Sequence, residues 1–575
     1  MVTGYNARAT GRAEDRSVGS PAMVQIPNIK ALGDRMRRRG TGWVLVWLAL
    51  MLGLCVPYFE STRNANERPR LLQAMALVDG GQWSIDGPTS RGLDPGPDVS
   101  RSRVDRHLYP NKPPGTTLAA AVGYRVARAT ADERGPTLRR FTVWARVFGG
   151  FLPTVVLCGV LLRRYAAMFG PAVGAGAIVL YALGTPAASY AHLLYGHQLA
   201  AALLCPGVLL LVDAGQAEAA GASGRLPAFA GGLLAGAAVG VEYGAVFAAL
   251  PIAGLLLVRG LRPGGLGVLL AGLAGALVPV GALALYHARI FGSALSTGYH
   301  HVTNAEFAAK HGQGLLGLGL PRWDAFHTHF VSADGGLVWW APTVVLALYG
   351  LAQASRSRDE LAAEARVHLA LLVLYGLIVS SLSFEGGWRV GPRYLVVVLP
   401  SLCMGWAVVL SQVRTSIFGM GFFTLLATYA VLVNGLAANL WPHCDLTNIH
   451  QPVAEVLLPL WEHDREPYDL LRIAIGRSGL RLVIVGSVVG TWVVLVSIGE
   501  GGLRMAGAMI IGGLLGLLLV YATRLVEPHP MGTRNLAYIE RIWEPPAGGT
   551  APSHRLGPLE PSGEPLVGGG SSSRR

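Results

Sequence analysis

With 575 residues, 52% of them hydrophobic and only 14% charged, the chain has the composition of a membrane protein and not of a soluble enzyme. Its net charge of +13 rests almost wholly on arginine, since the only lysines are Lys30, Lys112 and Lys310. The arginines are scattered between apolar runs instead of gathered on one polar domain. They read as basic flanks of membrane spans and speak against nucleic acid as a partner.

Four of the five cysteines, Cys55, Cys158, Cys205 and Cys403, fall in or beside apolar runs, where cysteine behaves as a small hydrophobe; Cys444 alone stands in a polar loop. No C-x-x-C spacing suggests a disulfide framework or a structural zinc. Residues 1–41 are rich in Gly, Ser and Arg and read as a disordered tail, without a small-residue cleavage pattern after the first apolar run. Arg35, Arg37, Arg38 and Arg39 precede the apolar run 42–59, which predicts a cytoplasmic N-terminus and a first span that exits near Phe59.

The polar loop 60–140 follows. Leu71, Met75 and Val78 recur at helical spacing, so a short amphipathic helix is expected, with Asn66 as N-cap and Pro69 in its first turn. Glu67 then stands at the positive end of that helix, which favours its charged form. Residues 87–104 read as loop, and 116–130 as a surface or re-entrant segment that Arg125 and Arg128 keep from being a full span.

Further spans are expected at 143–162, 171–190, 195–213, 227–241, 243–259, 266–288, 336–354, 368–384, 394–412, 416–438, 481–498 and 503–523. The fold class is thus an all-α polytopic membrane protein of about 11–13 transmembrane helices with a partly irregular first outer loop. Counting sides from a cytoplasmic N-terminus puts short basic connections inside, among them Arg163-Arg164 and 356–366. The long loops 60–140, 289–335, 385–393 and 439–480, and the tail, fall on the outer face.

Within the outer segments the chemistry-bearing residues are few. Glu67 is a carboxylate at a helix start. Lys112 is held in Asn111-Lys112-Pro113-Pro114-Gly115, where the prolines restrict the backbone. Arg393, just before a span, has the planar fork that suits a phosphate. His197 and Glu242 stand near outer span ends, where ionisable groups are costly. Asp105 lies on the Lys112 loop. His300, His301 and His311 with Glu306 lack the H-E-x-x-H spacing, so a divalent ion has no ligand motif to support it. Trp339, Trp340, Trp388 and Trp441 fit an interfacial aromatic belt.

The order Asn66-Glu67, short helix, Gly81-Gln82-Trp83, then Tyr109-Pro110-Asn111-Lys112-Pro113-Pro114-Gly115 resembles the first outer loop of the C superfamily of integral-membrane glycosyltransferases, in the protein mannosyltransferase and aminoarabinose transferase branch. The segments 184–197, 291–299 and 386–394 resemble parts of bacterial members. Asn111 stands where that family has an acid, and the usual acidic pair is reduced to Asn66-Glu67. The resemblance implies transfer of a sugar from a polyprenyl-phosphate donor to a glycan, lipid or protein acceptor, outside the plasma (inner) membrane. It implies Glu67 as catalytic carboxylate, and Lys112, Arg393, Tyr109, His197 and Asp105 as substrate-binding residues. It divides the chain into a cytoplasmic tail (1–41), a catalytic transmembrane module (42–435), an outer loop with C-terminal spans (436–523) and a polar tail (524–575) disordered from about 545. The cofactor is left open. The competing readings are a transporter or flippase of a lipid-linked solute, which should show internal repeats, and a catalytically inactive relative.

Overall fold

The structure, a computed structural model, describes residues 41–60, 64–133, 135–260, 265–311, 317–358, 361–383, 386–545 and 556. The basic tail up to residue 40 and nearly all of the Pro/Gly/Ser-rich end lie outside them.

Every apolar run found in the sequence carries helix. Among the described residues six helices are long and apolar enough to cross a membrane, Leu138–Phe169, His197–Glu218, Leu266–Phe291, Leu361–Val379, Ile417–Asn439 and Gly502–Leu525. Shorter apolar helices stand beside them: Gly42–Gly53, Pro171–Leu183, Arg225–Val241, Ala245–Gly254, Leu399–Val413 and Leu480–Val496. The outward faces of several carry bare leucines and valines, among them Leu270, Leu277, Val485, Leu514 and Leu518. Water would penalise so continuous an apolar surface, and a bilayer does not. The protein is an all-α polytopic membrane protein.

The helices meet through small residues. A Cβ on Gly232 would lie 2.0 Å from the Gly272 carbonyl oxygen, so the Arg225–Val241 and Leu266–Phe291 backbones touch only because that position is glycine. Two expected spans are interrupted. The 336–354 run breaks at Ala341-Pro342 into Leu337–Trp340 and Thr343–Arg356, because proline at 342 removes a backbone donor. The 394–412 run opens as two 3-10 turns, Arg393–Val397 and Leu399–Ser401, before the regular helix Leu402–Val413. The first turns of that run, with Pro400 among them, therefore present Arg393 from a non-α backbone.

Segments expected on one face do assemble at one end of the bundle. Tyr58 N–H donates to the Tyr468 carbonyl at 2.8 Å, Arg389 N–H to Cys444 at 2.9 Å and Thr303 N–H to Val99 at 2.9 Å. Trp441 and Trp543 stack and Phe59 meets both edge-on, so the C-terminal helix Gly532–Arg541 folds back onto this end. Residues 87–104 are not wholly loop: they contain the short helix Asp86–Ser90 and the strand Val99–Arg101. The 116–130 segment is the amphipathic helix Gly115–Ala129, whose Ala120, Tyr124 and Ala127 pack with Leu71, Met75 and Phe141.

Candidate functional site

The loop helix runs Arg68–Gly80, one residue later than the Asn66 cap expected, with Glu67 in the cap position and no cap bond from its side chain. Glu67 turns inward instead. Arg146, in the third turn of the helix Leu138–Phe169, donates Nε to Oε1 at 2.8 Å and Nη2 to Oε2 at 2.7 Å, and the Leu194 N–H donates to Oε1 at 2.7 Å. Arg146 also donates to the Pro57 carbonyl. Both side chains are almost wholly buried, 2% and 3% exposed. Burial alone would raise the Glu67 pKa. The charge and hydrogen bonds of Arg146 outweigh it and hold the carboxyl below its ordinary range. Nearby, burial drives His443 down to about 3, so a neutral imidazole shares Asn64 with the Tyr195 hydroxyl.

After the loop helix the chain forms a two-stranded antiparallel ribbon, Val99–Arg101 against Leu108–Pro110, in register Val99 with Pro110 and Ser100 with Tyr109. The closed end of the ribbon carries Asp105. Tyr109 Oη donates to Asp105 Oδ2 at 2.6 Å, and His107 N–H to Oδ1 at 3.0 Å. Asp105 is held below the ordinary carboxylate range by these bonds, slight burial opposing them. The open end carries Asp98 and, two residues beyond the partner strand, Lys112. Asn111 N–H donates to the Asp98 carbonyl at 3.1 Å and its amide to Asp98 Oδ1 at 3.3 Å. A third segment locks this end, since Ser100 Oγ donates to the Gly298 carbonyl at 2.6 Å. A Cβ at Gly298 would sit 2.6 Å from the Asn111 carbonyl oxygen, so only glycine lets the two backbones close. Tyr299, the next residue, accepts from Lys112 Nζ at 2.8 Å.

A cavity of about 450 Å³ opens here, lined by Asn64, Asn66, Asp98, Lys112, Tyr195, Trp388, Arg393 and the helix residues Glu306, Phe307 and Lys310 among others. Of the six residues singled out from the sequence, Lys112 and Arg393 are brought together on its wall. Glu67, His197, Tyr109 and Asp105 are not part of the lining. His197 sits behind it, 3.5 Å from Glu242 Oε2 and ringed by Tyr190, Tyr195 and Tyr394. Burial raises the Glu242 pKa, and Lys112, Arg70 and Arg393 pull it back.

Sequence reasoning passed over Asp98, Arg70 and Tyr299, and gave Trp388 to the interfacial belt. Arg70 is fully buried behind Asn66. Its Nη1 donates to the Asn66 carbonyl at 2.7 Å and to the Asn66 side chain, while Nε and Nη2 are buried without a hydrogen bond among the described residues. Burial lowers the Arg70 pKa, with Glu242 and Asp98 opposing. Neither Lys112 nor Arg70 is in ion-pair contact with a carboxylate among the described residues.

No protein-family model matches the chain, and no curated protein matches it. Among solved structures, the crystal structure of ArnT from Cupriavidus metallidurans bound to undecaprenyl phosphate is similar over 88% of this chain and 80% of that one, at 17% identity and a TM-score of 0.47. The same transferase in the apo state is similar over 85% of this chain and 78% of that chain, at 18% identity and a TM-score of 0.47.

Proposed function

We propose that the chain is a membrane glycosyltransferase that moves a sugar from a polyprenyl-phosphate donor to a glycan, lipid or protein acceptor on the extracytoplasmic face of the plasma membrane. One observation carries the reading. Lys112 in the cavity wall and Arg70 behind it are buried cations with no carboxylate in ion-pair contact among the described residues. A buried unbalanced charge is expensive, and an anion entering the cavity relieves it. Asp98 and Glu242 offset part of the charge at longer range. A phosphate ester fits the remainder, and the order of the outer-loop motifs supports the same chemistry.

During transfer the anomeric C–O bond breaks and its electron pair goes to the phosphate oxygen. Lys112 and Arg393 stand where that charge grows, and fixed donors there stabilise the transition state more than the ground state. Tyr299 fixes the lysine by its hydroxyl and by its ring, 4.6 Å from Nζ. Trp388 and Tyr195 offer flat apolar surface to the sugar. Glu67 ties together the exit of the first helix, the loop helix and residue 194, and so acts as a positioning residue.

Undecaprenyl phosphate is the probe. Wild-type protein in nanodiscs should bind it, and Lys112→Ala should weaken binding and cut turnover of undecaprenyl-phosphate hexoses by roughly 100- to 1,000-fold at normal folding. Binding and turnover unchanged by Lys112→Ala, or absent from the wild type, would overturn the proposal.

A further inference from the structure

The acceptor hydroxyl must lose a proton as it attacks. Glu67 is bonded through both oxygens to Arg146 and is not in the cavity lining, and the amides of Asn66 and Asn111 are not bases. The carboxylates on the cavity wall are Asp98, Glu306 and Asp445. Glu306 is exposed and paired with Lys310 at 2.8 Å. Asp445 Oδ1 accepts from the backbone N–H of Thr447 at 3.2 Å and from its hydroxyl at 2.8 Å, in a local turn. Asp98 differs from both. It is 7% exposed, and its side chain accepts only from the Asn111 amide, through Oδ1, among the described residues.

From this geometry we infer that Asp98 is the catalytic base, the carboxylate that accepts the acceptor's proton. The inference rests on the transferase reading above. The ribbon register gives it a physical basis. Pairing Val99 with Pro110 sets Asp98 beside Asn111 and so next to Lys112, and one antiparallel pair presents the base and the leaving-group cation to one cavity. Asn111 then has a role of its own. Its amide donates to Asp98 Oδ1 and so holds the carboxylate in place beside Lys112. In the step, the acceptor oxygen forms a bond to the anomeric carbon and the anomeric bond to phosphate breaks. The hydroxyl proton goes to Asp98, and polyprenyl phosphate leaves with the electron pair.

The experiment measures undecaprenyl phosphate released from undecaprenyl-phosphate glucose, mannose and aminoarabinose, with a glycan and lipid extract as acceptor source, alongside undecaprenyl phosphate binding and thermal unfolding. Asp98→Asn should lower kcat by roughly 100-fold or more while binding stays within about twofold of wild type. Asp98→Ala should regain part of its rate on addition of formate and none with chloride, a rescue that a structural role would not give. Wild-type kcat in Asp98→Asn overturns the inference and leaves the transferase reading standing. So does loss of binding in both Asp98 variants without formate rescue, which assigns Asp98 to structure. A wild-type protein that neither binds undecaprenyl phosphate nor releases it overturns the reading and the inference together.

Discussion

Removing Arg146 should be among the most damaging single changes at the outer end of the bundle, for a reason that also decides what Glu67 does. Arg146→Met keeps the apolar stem and deletes both bonds to Glu67, at 2.8 and 2.7 Å, and the bond to Pro57. Glu67 is left with the Leu194 N–H and no counter-charge in a site about 3% exposed. Breaking a buried pair by removing one member costs about 3–5 kcal/mol. Glu67→Gln strands the guanidinium and should cost a similar amount. The double variant strands neither charge, so it should lose less than the sum of the singles, with a coupling of about 1–3 kcal/mol. Reversible unfolding in mixed micelles, read against denaturing detergent, measures all three. The pH dependence has a defined sign. The folded-state pKa of Glu67 lies below its ordinary value, so the stabilisation is complete above the ordinary carboxylate range and is lost as pH falls through the depressed folded value. Single variants within about 0.5 kcal/mol of wild type would refute the reasoning. Turnover separates the roles of Glu67. If it positions, the double variant recovers activity over the singles; if it takes the proton itself, the double variant stays as inactive as Glu67→Gln.

Three further outcomes follow from named contacts. Gly298→Ala should push residues 298–299 off Asn111 and displace Tyr299 from Lys112, costing about 1–3 kcal/mol and most turnover while the helices remain; wild-type turnover would refute the close approach. Glu364→Ala should cost less than the Arg146 change, about 1–3 kcal/mol by detergent unfolding, because Arg164 keeps Asp213 at 2.6 Å after losing Glu364. Single cysteines at the exposed positions Arg101 and Arg358, in a chain without its native cysteines, should react with impermeant maleimide from opposite sides of a sealed vesicle, as the arginine distribution requires. Labelling of both from one side would reverse that topology.

How far the sequence could be read depended on whether the signal was local. Apolar runs declared the helices because a bilayer-facing segment must satisfy its own backbone. Proline interruptions at 342 and 400 were visible in the same runs but were read through, since hydropathy alone does not register a lost donor. Lys112 and Arg393 were reached because short motifs carry them. Their meeting on one cavity was not legible, as the two stand 281 positions apart in the chain by subtraction of the residue numbers. Glu67 shows the opposite failure. Its local setting, a helix start, was read correctly to within one residue, yet the group that governs it is Arg146, 79 residues on. A guanidinium bonded to both oxygens outweighs a helix end whose effect is about 0.3–1 kcal/mol.

Asp98 was hidden for a more general reason. It sits in Asp94-Pro95-Gly96-Pro97-Asp98, a stretch whose composition announces only a turn. A strand of three residues, Val99–Arg101, is too short for an alternation pattern, so no periodicity assigns Asp98 a face. Its position is fixed from outside, directly by Asn111 and, through its neighbours Val99 and Ser100, by Thr303 and Gly298. Those contacts also account for Asn111 itself. With Asp98 at the same ribbon end, an acid at 111 would set two carboxylates against each other in a buried site. An amide there removes the repulsion and donates to the carboxylate that remains. The amide at 111 and the acid at 98 therefore belong to one electrostatic arrangement. Asn111→Asp should accordingly weaken the site, because it replaces the amide that donates to Asp98 with a second, repelling carboxylate, and turnover should fall. Turnover equal to or above wild type in Asn111→Asp would break that link.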